Sequence, residues 1–335
     1  KGKRKKGKWD YYYDKEEAAK TIRFFAKHLK LNGGQFEGKP FILLPWQCFI
    51  IGSLFGWKRE DDDMRRFRVA FVETAKGSGK SPMCAAVGIK GLVADGEPRA
   101  EVYAAATFTA QAMVLFRDAC AFYDQSPELQ SRLRPSGTGE KRWNLSYLEK
   151  GSFFRVISSE KKGQSGPRPS IALLDEIHEH PDGTVIELIR AGFKFRRQPL
   201  SFMITNSGHD KSSVCWEYHD MGAKIAAGQV ENNEFFAFIC SLDDEDLEDD
   251  AYLDDESVWP KANPSLPYGL PGYDYIRSQV REARGMPSKM ATVKRLCFSV
   301  WTEAENPAIS KEAWMACEDK GYPDEILFGR RCWGG

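Results

Sequence analysis

The chain has 335 residues, enough to bury a sizeable core in one large domain or two to three small ones, and its 48 basic and 48 acidic side chains leave a formal net charge of zero. A neutral balance removes any chain-wide argument for nucleic-acid or membrane affinity, so the placement of charge matters more than its sum. No apolar run approaches the roughly 20 residues that span a bilayer and no signal peptide is visible, so a soluble protein with no membrane partner is expected.

Residues 1–8, K-G-K-R-K-K-G-K, hold six cations and read, with the chain to residue 13, as a basic flexible arm. The start on Lys1 rather than Met looks trimmed. From Asp14 to Leu31 the apolar residues Ala18, Ile22, Phe25, Ala26 and Leu29 recur at three- and four-residue steps, which predicts an amphipathic helix closed by Asn32-Gly33-Gly34. Phe41 to Gln47 leads into an apolar, helix-like stretch to Trp57, with Pro45 suited to its first turn. Gln47 then lies near a helix start, where its amide either reads an adenine edge or is a plain cap or surface group.

Arg68 to Glu73 suits a buried strand, Met83 to Ala94 suits a helix, and between them Thr74 to Ser81 read T-A-K-G-S-G-K-S. A helix that starts there leaves its first N–H groups unpaired, and with two glycines keeping side chains away the turn can wrap a phosphate. Thr74, Ala75, Lys76, Gly77, Ser78 and Gly79 would form the wall of an ATP site, Lys80 would reach the β/γ-phosphates and Ser81 would help hold Mg²⁺. The departure from the usual pattern is Thr74, which stands in place of glycine.

Glu101 to Ala106 reads as a second strand, Thr109 to Tyr123 as a helix with Thr109 as its cap, and Arg142 to Tyr147 and Phe153 to Ile157 as paired strands around Lys150-Gly151. A loop over Gly163 to Pro169 delivers the chain into Ile171-Ala172-Leu173-Leu174-Asp175-Glu176. Four apolar residues in a row suit a parallel strand buried on both faces, and the carboxylates emerge at its C-terminal end, where open α/β sheets bind ligands. Asp175 is placed to hold the Mg²⁺ shell and Glu176 to polarise an attacking water. His178 and His180 have the H-x-H spacing of some metal sites, but no further histidine or cysteine lies near them in sequence. A third strand, Ser201 to Thr205, exits through Asn206 and Ser207, polar residues able to sense a γ-phosphate.

Lys211 to Gly228 is helix-like and Phe235 to Cys240 is a last apolar strand. Asp243 to Glu256 then hold ten acids and no base, the signature of a solvated linker or helix face. Tyr273 to Ala283, Lys289 to Cys297 and Pro307 to Ala316 are helical in pattern. The eight cysteines form no C-x-x-C pair, so reduced, buried thiols are expected and a zinc site is not. The predicted fold class is α/β: a P-loop ATPase of the glutamate-bearing type with a mainly parallel sheet over 14–242, and a small, mainly helical lid or linker subdomain over 243–328.

Taken together, L-L-P-W-Q (43–47), T-A-K-G-S-G-K-S (74–81), L-L-D-E-I-H (173–178), Q-P-L-S-F-M-I-T-N-S-G (198–208), W-P-K-A-N-P-S-L (259–266) and F-S-V-W (298–301) resemble the large terminase subunit of tailed bacteriophages, in the branch that includes phage HK97. The resemblance covers essentially Trp9 to Gly335. It implies an ATP-driven motor that moves double-stranded DNA through a portal protein into a procapsid in the host cytoplasm, as a homo-oligomeric ring on the portal, with the small terminase subunit as a further partner. By position, Gln47 matches the adenine-reading glutamine, Lys80 and Ser81 the phosphate and Mg²⁺ residues, Asp175 and Glu176 the acidic pair, and Thr205-Asn206-Ser207 the coupling motif, which is more often Thr-Thr-Ala. Lys76 stands where the family often has Arg and joins Lys80 and Glu176 as a catalytic candidate, though it lacks bidentate geometry. Arg142, Arg155, Arg168 and Arg196 are candidates for an arginine acting on a neighbouring subunit. The family's C-terminal nuclease is entered by a sequence like Cys332-Trp333-Gly334-Gly335, so the expectation is that 329–335 only begin that domain and that this chain cuts no DNA. Two rival readings are a non-hydrolysing nucleotide-binding scaffold docked on the portal or small subunit, and a helicase-like translocase.

Overall fold

A computed structural model describes residues 10–158, 166–248 and 250–302. The basic arm to residue 9, Gly163–Ser165 of the Gly163–Pro169 loop, the Pro307–Ala316 helix and residues 329–335 lie outside the described residues.

The N-terminal part runs β1 (Tyr11–Tyr13), α1 (Lys15–His28), α2 (Pro45–Gly56) and β2 (Trp57–Arg59), with β1 and β2 paired antiparallel. Asp14 starts α1 by accepting the N–H groups of Glu16 and Glu17 at 3.1 and 3.0 Å. The apolar spacing read from sequence then turns Ala18 and Phe25 inward. Pro45 occupies the first turn of α2, where its missing N–H has no intrahelical role.

Next come β3 (Val69–Glu73), α3 (Lys80–Ala94), β4 (Glu101–Ala106), α4 (Thr109–Asp124), α5 (Pro127–Arg132), β5 (Arg134–Ser136), β6 (Asn144–Tyr147), β7 (Ser152–Ser158), β8 (Ile171–Leu174), α6 (Thr184–Gly192), β9 (Leu200–Thr205), α7 (Val214–Ala226) and β10 (Phe235–Ile239). Thr109 is the first helical residue of α4 and the extended Phe108 takes the cap position expected for it. One eight-stranded sheet has the order β10-β3-β9-β8-β4-β7-β6-β5, parallel from β10 to β7 and antiparallel at β6 and β5. The chain is thus an α/β protein with a mainly parallel central sheet, as its sequence pattern requires.

Both faces of the sheet are covered, which is why β3, β8 and β9 are apolar throughout. Helices α2, α3 and α4 cover one face around Phe116, Phe154 and Phe202, and α6 and α7 cover the other around Ile186, Ile189 and Met203. Strands β3, β9 and β8 are neighbours, so their C-terminal exits open side by side. Cys84, Cys120, Cys215 and Cys297 are buried free thiols. No helix of the described residues is long and apolar enough to cross a membrane.

Burial pushes the Asp118 carboxyl on α4 up to about 6, against the opposing effect of the Asn32 amide that donates to it at 3.2 Å. A carboxyl that is harder to ionise in the fold contributes its full stability below its ordinary pKa and loses it as pH rises through the folded value. Asp118→Asn should therefore stabilise the protein by roughly 1–3 kcal/mol at about pH 8 and by little at about pH 4. Urea midpoints at the two pH values check this, and equal shifts at both would contradict it.

Beyond β10 a helical unit contains α8 (Trp259–Ala262), α9 (Tyr273–Gly285) and α10 (Met290–Phe298) around its own core of Trp259, Leu266, Ile276 and Phe298. Trp259 is fully buried, its indole N–H donates to Tyr252 O at 2.7 Å, and its ring packs on Tyr273 and Phe298. Trp259→Ala should cost about 3–5 kcal/mol, read as a lower urea midpoint for this unit. The acidic run is mostly exposed, and five of its ten acids meet cations at the surface: Lys261 bridges Asp243 and Asp246, Lys294 holds Asp250, Arg284 holds Asp254 and Arg277 holds Glu256. Cations scattered later in the sequence fold back onto it.

Candidate active site

The turn after β3 places Gly77 and Gly79 at φ 87° and 86°, backbone conformations that side chains rarely adopt, and α3 begins at Lys80. Its first N–H groups therefore face the concavity read as a phosphate cradle. The Lys80 ammonium is buried and donates to Thr74 O (2.7 Å), Thr74 Oγ1 (3.2 Å), Ala75 O (3.0 Å) and Asn206 Oδ1 (2.8 Å). Thr74 departs from the glycine pattern, and its hydroxyl is one of the groups that fixes this lysine. Burial pushes Lys80 down to about 8, with Glu176 and Asp175 pulling in the opposite direction.

At the exit of β8, Asp175 is buried and accepts the Glu176 N–H at 2.8 Å and the Ser81 hydroxyl. Glu176 is a non-glycine residue at φ 50°, an uncommon conformation that swings the chain sharply out of the strand. Burial, reinforced by Asp175, pushes its carboxyl up to about 7, while Lys80 and Lys76 hold it back. At the exit of β9, Asn206 bridges the other two: its Oδ1 accepts from Lys80 and its Nδ2 donates to Glu176 Oε2 at 3.3 Å. Three strand exits read separately in the sequence thus meet in one hydrogen-bonded line.

Gln47 is buried against this loop. Its Nε2 donates to Gly79 O at 3.4 Å and its Oε1 accepts the Leu44 N–H at 3.0 Å, so the amide also caps the start of α2. Ser78 donates to Ala75 O. Lys76 is exposed, and its charge acts on both Glu176 and His178. His178 Nδ1 lies 3.0 Å from Thr205 Oγ1 and 3.3 Å from Glu176 Oε2, and its N–H donates to Thr205 Oγ1 at 3.1 Å. Burial, then Arg295, Lys80 and Lys76, push the ring down to about 3, so it works as a neutral hydrogen-bonding group. His180 bonds the Asp175 carbonyl. Among the described residues no group of three or more His, Cys, Asp or Glu side chains is gathered to hold a metal ion.

The helical unit is bonded directly to the phosphate loop. Ala75 N–H donates to Ala262 O (3.1 Å), Lys76 N–H to Leu296 O (2.7 Å) and Ser265 Oγ to Ser78 O (2.8 Å), and Pro271 packs against Gly77. The Ser207 hydroxyl reaches the carbonyls of Arg295 and Val300 at the end of α10, both at 3.1 Å. Residues that sequence reading passed over also converge here. Glu73, fully buried at the last position of β3, accepts from the Trp301 indole at 2.9 Å and meets His219 Nδ1 at 2.8 Å. A carboxylate inside an apolar strand was the available signal.

Of the four arginines, Arg142 is held by both oxygens of Asp124, and Arg196 is held by Glu97, Glu101 and the Arg168 carbonyl. Arg155 stacks 3.6 Å from the Phe153 ring centre, and Arg168 is exposed over Phe195. None of them is part of the line formed by Lys80, Asn206 and Glu176.

The family model for the terminase large subunit ATPase domain matches residues 45–222, just over half of the chain, and that for the terminase large subunit endonuclease domain matches 229–335. Protein YmfN of Escherichia coli (strain K12) is 27% identical over 209 residues, which are 62% of this chain and 44% of YmfN. The HK97 bacteriophage large terminase has a similar fold, with TM-score 0.71 at 20% identity over 85% of this chain and 55% of that one. A mutant ATPase domain of the Thermus phage P74-26 large terminase follows at TM-score 0.50 and 14% identity, over 70% of this chain and 89% of that one. The chain spans about half the length of YmfN and of the HK97 protein.

The endonuclease match corrects the expectation of an ATPase portion without a nuclease domain and without DNA-cutting activity. That expectation took Cys332–Gly335 as the domain's entrance, whereas the match begins at residue 229, upstream of β10. The boundary was hidden because β10 pairs in register with β3 and the helical unit bonds to the phosphate loop, so the chain crosses into the matched segment without leaving the ATPase sheet. With both domain models matched along an α/β chain of this fold, this chain belongs to the terminase large subunit family.

Proposed function

We propose that this chain hydrolyses ATP to drive double-stranded DNA through a portal into a procapsid, as part of a homo-oligomeric ring that also engages a small terminase subunit. The observation that carries this reading is the line from Lys80 through Asn206 to Glu176, which joins a phosphate-binding group to a base able to orient water. Residues 14–242 act as the ATPase domain, 243–328 as a lid or linker, and 1–13 as a basic arm.

In the reaction, water attacks the γ-phosphoryl group in line, oriented by the Glu176 carboxylate. Lys80 and the loop N–H groups stabilise the charge that develops on the phosphoryl oxygens. The Ser81 hydroxyl and the Asp175 carboxylate, already in contact, are oxygen donors that suit Mg²⁺, which when bound would neutralise β- and γ-phosphate charge. Gln47 reads the adenine edge by exchanging its cap bonds. To reach the phosphates Lys80 gives up Asn206 Oδ1, which frees Asn206 to reposition Glu176. Thr205 and Ser207 carry that change to His178 and to the end of α10.

Lys76 supplies the charge that the family often takes from arginine. Lys76→Ala should lower turnover about tenfold or more while changing ATP affinity less, measured by phosphate release and nucleotide titration. An equal loss in both would assign Lys76 to binding alone.

A further inference from the structure

A second cationic site lies away from the ATP loop. Helix α1, the C-terminal end of α3 and helix α5 enclose a cleft of about 450 Å³. Lys20, Arg23 and Lys27 line it from α1, Arg132 from α5, and Lys90 from α3. Two carboxylates, Glu17 and Glu128, face these five cations. Glu128 is engaged by His28 (2.6 Å) and Arg132 (3.1 Å), and Glu17 by Lys20 (3.4 Å), with Lys90 at 3.7 Å. Arg23 and Lys27 are exposed and have no ion-pair partner among the described residues.

Lys90 reaches the cleft from below: it is almost fully buried, shares the Phe55 ring with Arg65, and lies 3.7 Å from Glu17 and 3.6 Å from Asp95. On the same wall the buried Thr21 hydroxyl has no hydrogen-bond partner among the described residues. Five cations against two carboxylates, on walls of low dielectric, leave a net positive field that favours an anion.

Within this chain the complementary segment is the acidic run from Asp243 to Glu256, but Lys261, Arg277, Arg284 and Lys294 already hold five of its ten carboxylates. An external polyanion with regularly repeated charges fits the spacing of the exposed cations. Positions 20, 23 and 27 fall on one helical face and span about 10 Å at 1.5 Å per residue, the axial length of roughly three phosphates on one DNA strand.

We propose that this cleft is a sequence-independent binding surface for the phosphate backbone of duplex DNA. The assignment rests on the DNA-translocating reading above, but binding is measured without hydrolysis, so the two can fail separately. The triple variant Lys20→Ala/Arg23→Ala/Lys27→Ala should bind AT-rich and GC-rich duplexes with equally reduced affinity. It should lower the slope of log K against log salt by about 2–3, close to 0.9 per lost phosphate contact. A control variant of equal charge, Lys211→Ala/Lys224→Ala/Lys289→Ala, should leave that slope within about one unit of the unaltered protein. Equal slopes for the two variants would overturn the proposal. So would protection of the unaltered protein against thermal unfolding by inorganic phosphate that the first variant loses while its DNA titration is unmoved, since the cleft would then be a small-anion site. ATP turnover without DNA, read on the same preparations, should be the same in both variants. Absence of turnover in the unaltered protein would count against the ATPase reading and leave the salt slopes interpretable.

Discussion

Replacing Glu176 by Gln should cut steady-state ATP hydrolysis by about 10²–10⁴-fold and leave ATP affinity within a few-fold of the unaltered protein. The substitution is close to isosteric. Its amide oxygen can still accept from Asn206 Nδ2, which lies 3.3 Å from Glu176 Oε2, and the side chain keeps its place between Asn206 and His178. What it loses is the negative charge that orients the attacking water. Burial already makes that charge costly to hold, and Lys80 and Lys76 are the cations that sustain it. Nucleotide titration and phosphate release on one preparation separate the two effects. Unchanged hydrolysis would remove Glu176 from the reaction and favour a nucleotide-binding scaffold.

Replacing Lys80 by Ala should abolish both ATP binding and hydrolysis. Its ammonium spans the backbone carbonyls of Thr74 and Ala75, the Thr74 hydroxyl and Asn206 Oδ1. Without it, two buried carbonyls lose a charged donor, which costs about 1–3 kcal/mol apiece where no other donor reaches them. Loss of a preorganised charge at the phosphate adds about 10²–10³-fold in rate, by analogy with removal of a single oxyanion donor. Lys80→Arg does not rescue, because a planar guanidinium cannot satisfy four acceptors gathered around one nitrogen. Isothermal titration with ATP and a urea melt test the two parts. A variant that bound ATP normally would place the phosphates elsewhere.

Strands β3, β8 and β9 were legible because they are buried on both faces and therefore read as unbroken apolar runs, and the loop between β3 and α3 because Gly77 and Gly79 mark a turn that other residues resist, whereas the short α5, β5 and α6 were not read. The placement of Asp175 and Glu176 at a strand exit could be read from their position after such a run. Pairings between distant residues were not legible. Nothing in the spacing of Asn206 tells that its amide joins Lys80 to Glu176, or that Ser207 reaches the end of α10, because side-chain bonds across 30 to 126 residues leave no local pattern. The same limit applies to the acidic run, whose neutralising cations come from α8, α9 and α10, and to Gln47, which is both a cap and a neighbour of the loop. The expectation that the nuclease domain was absent misled for a related reason. Composition shifts at residue 243, yet the endonuclease match starts at 229 and includes a strand that completes the ATPase sheet.

These contacts give the helical unit a mechanical meaning within the proposed reaction. Lys76 and Ser207 each send a hydrogen bond to α10, one from the phosphate loop and one from the strand that carries Asn206. A change at the γ-phosphate therefore has two short routes into the same helix, and each bond is worth on the order of 1 kcal/mol.

The measurement that tests the central claim most directly is steady-state phosphate release from the unaltered protein, with and without duplex DNA, over a range of protein concentrations. A ring motor predicts slow turnover at high dilution, a rise as subunits assemble, and a further rise with DNA that is independent of its sequence. Turnover that is the same at every concentration and indifferent to DNA would contradict it.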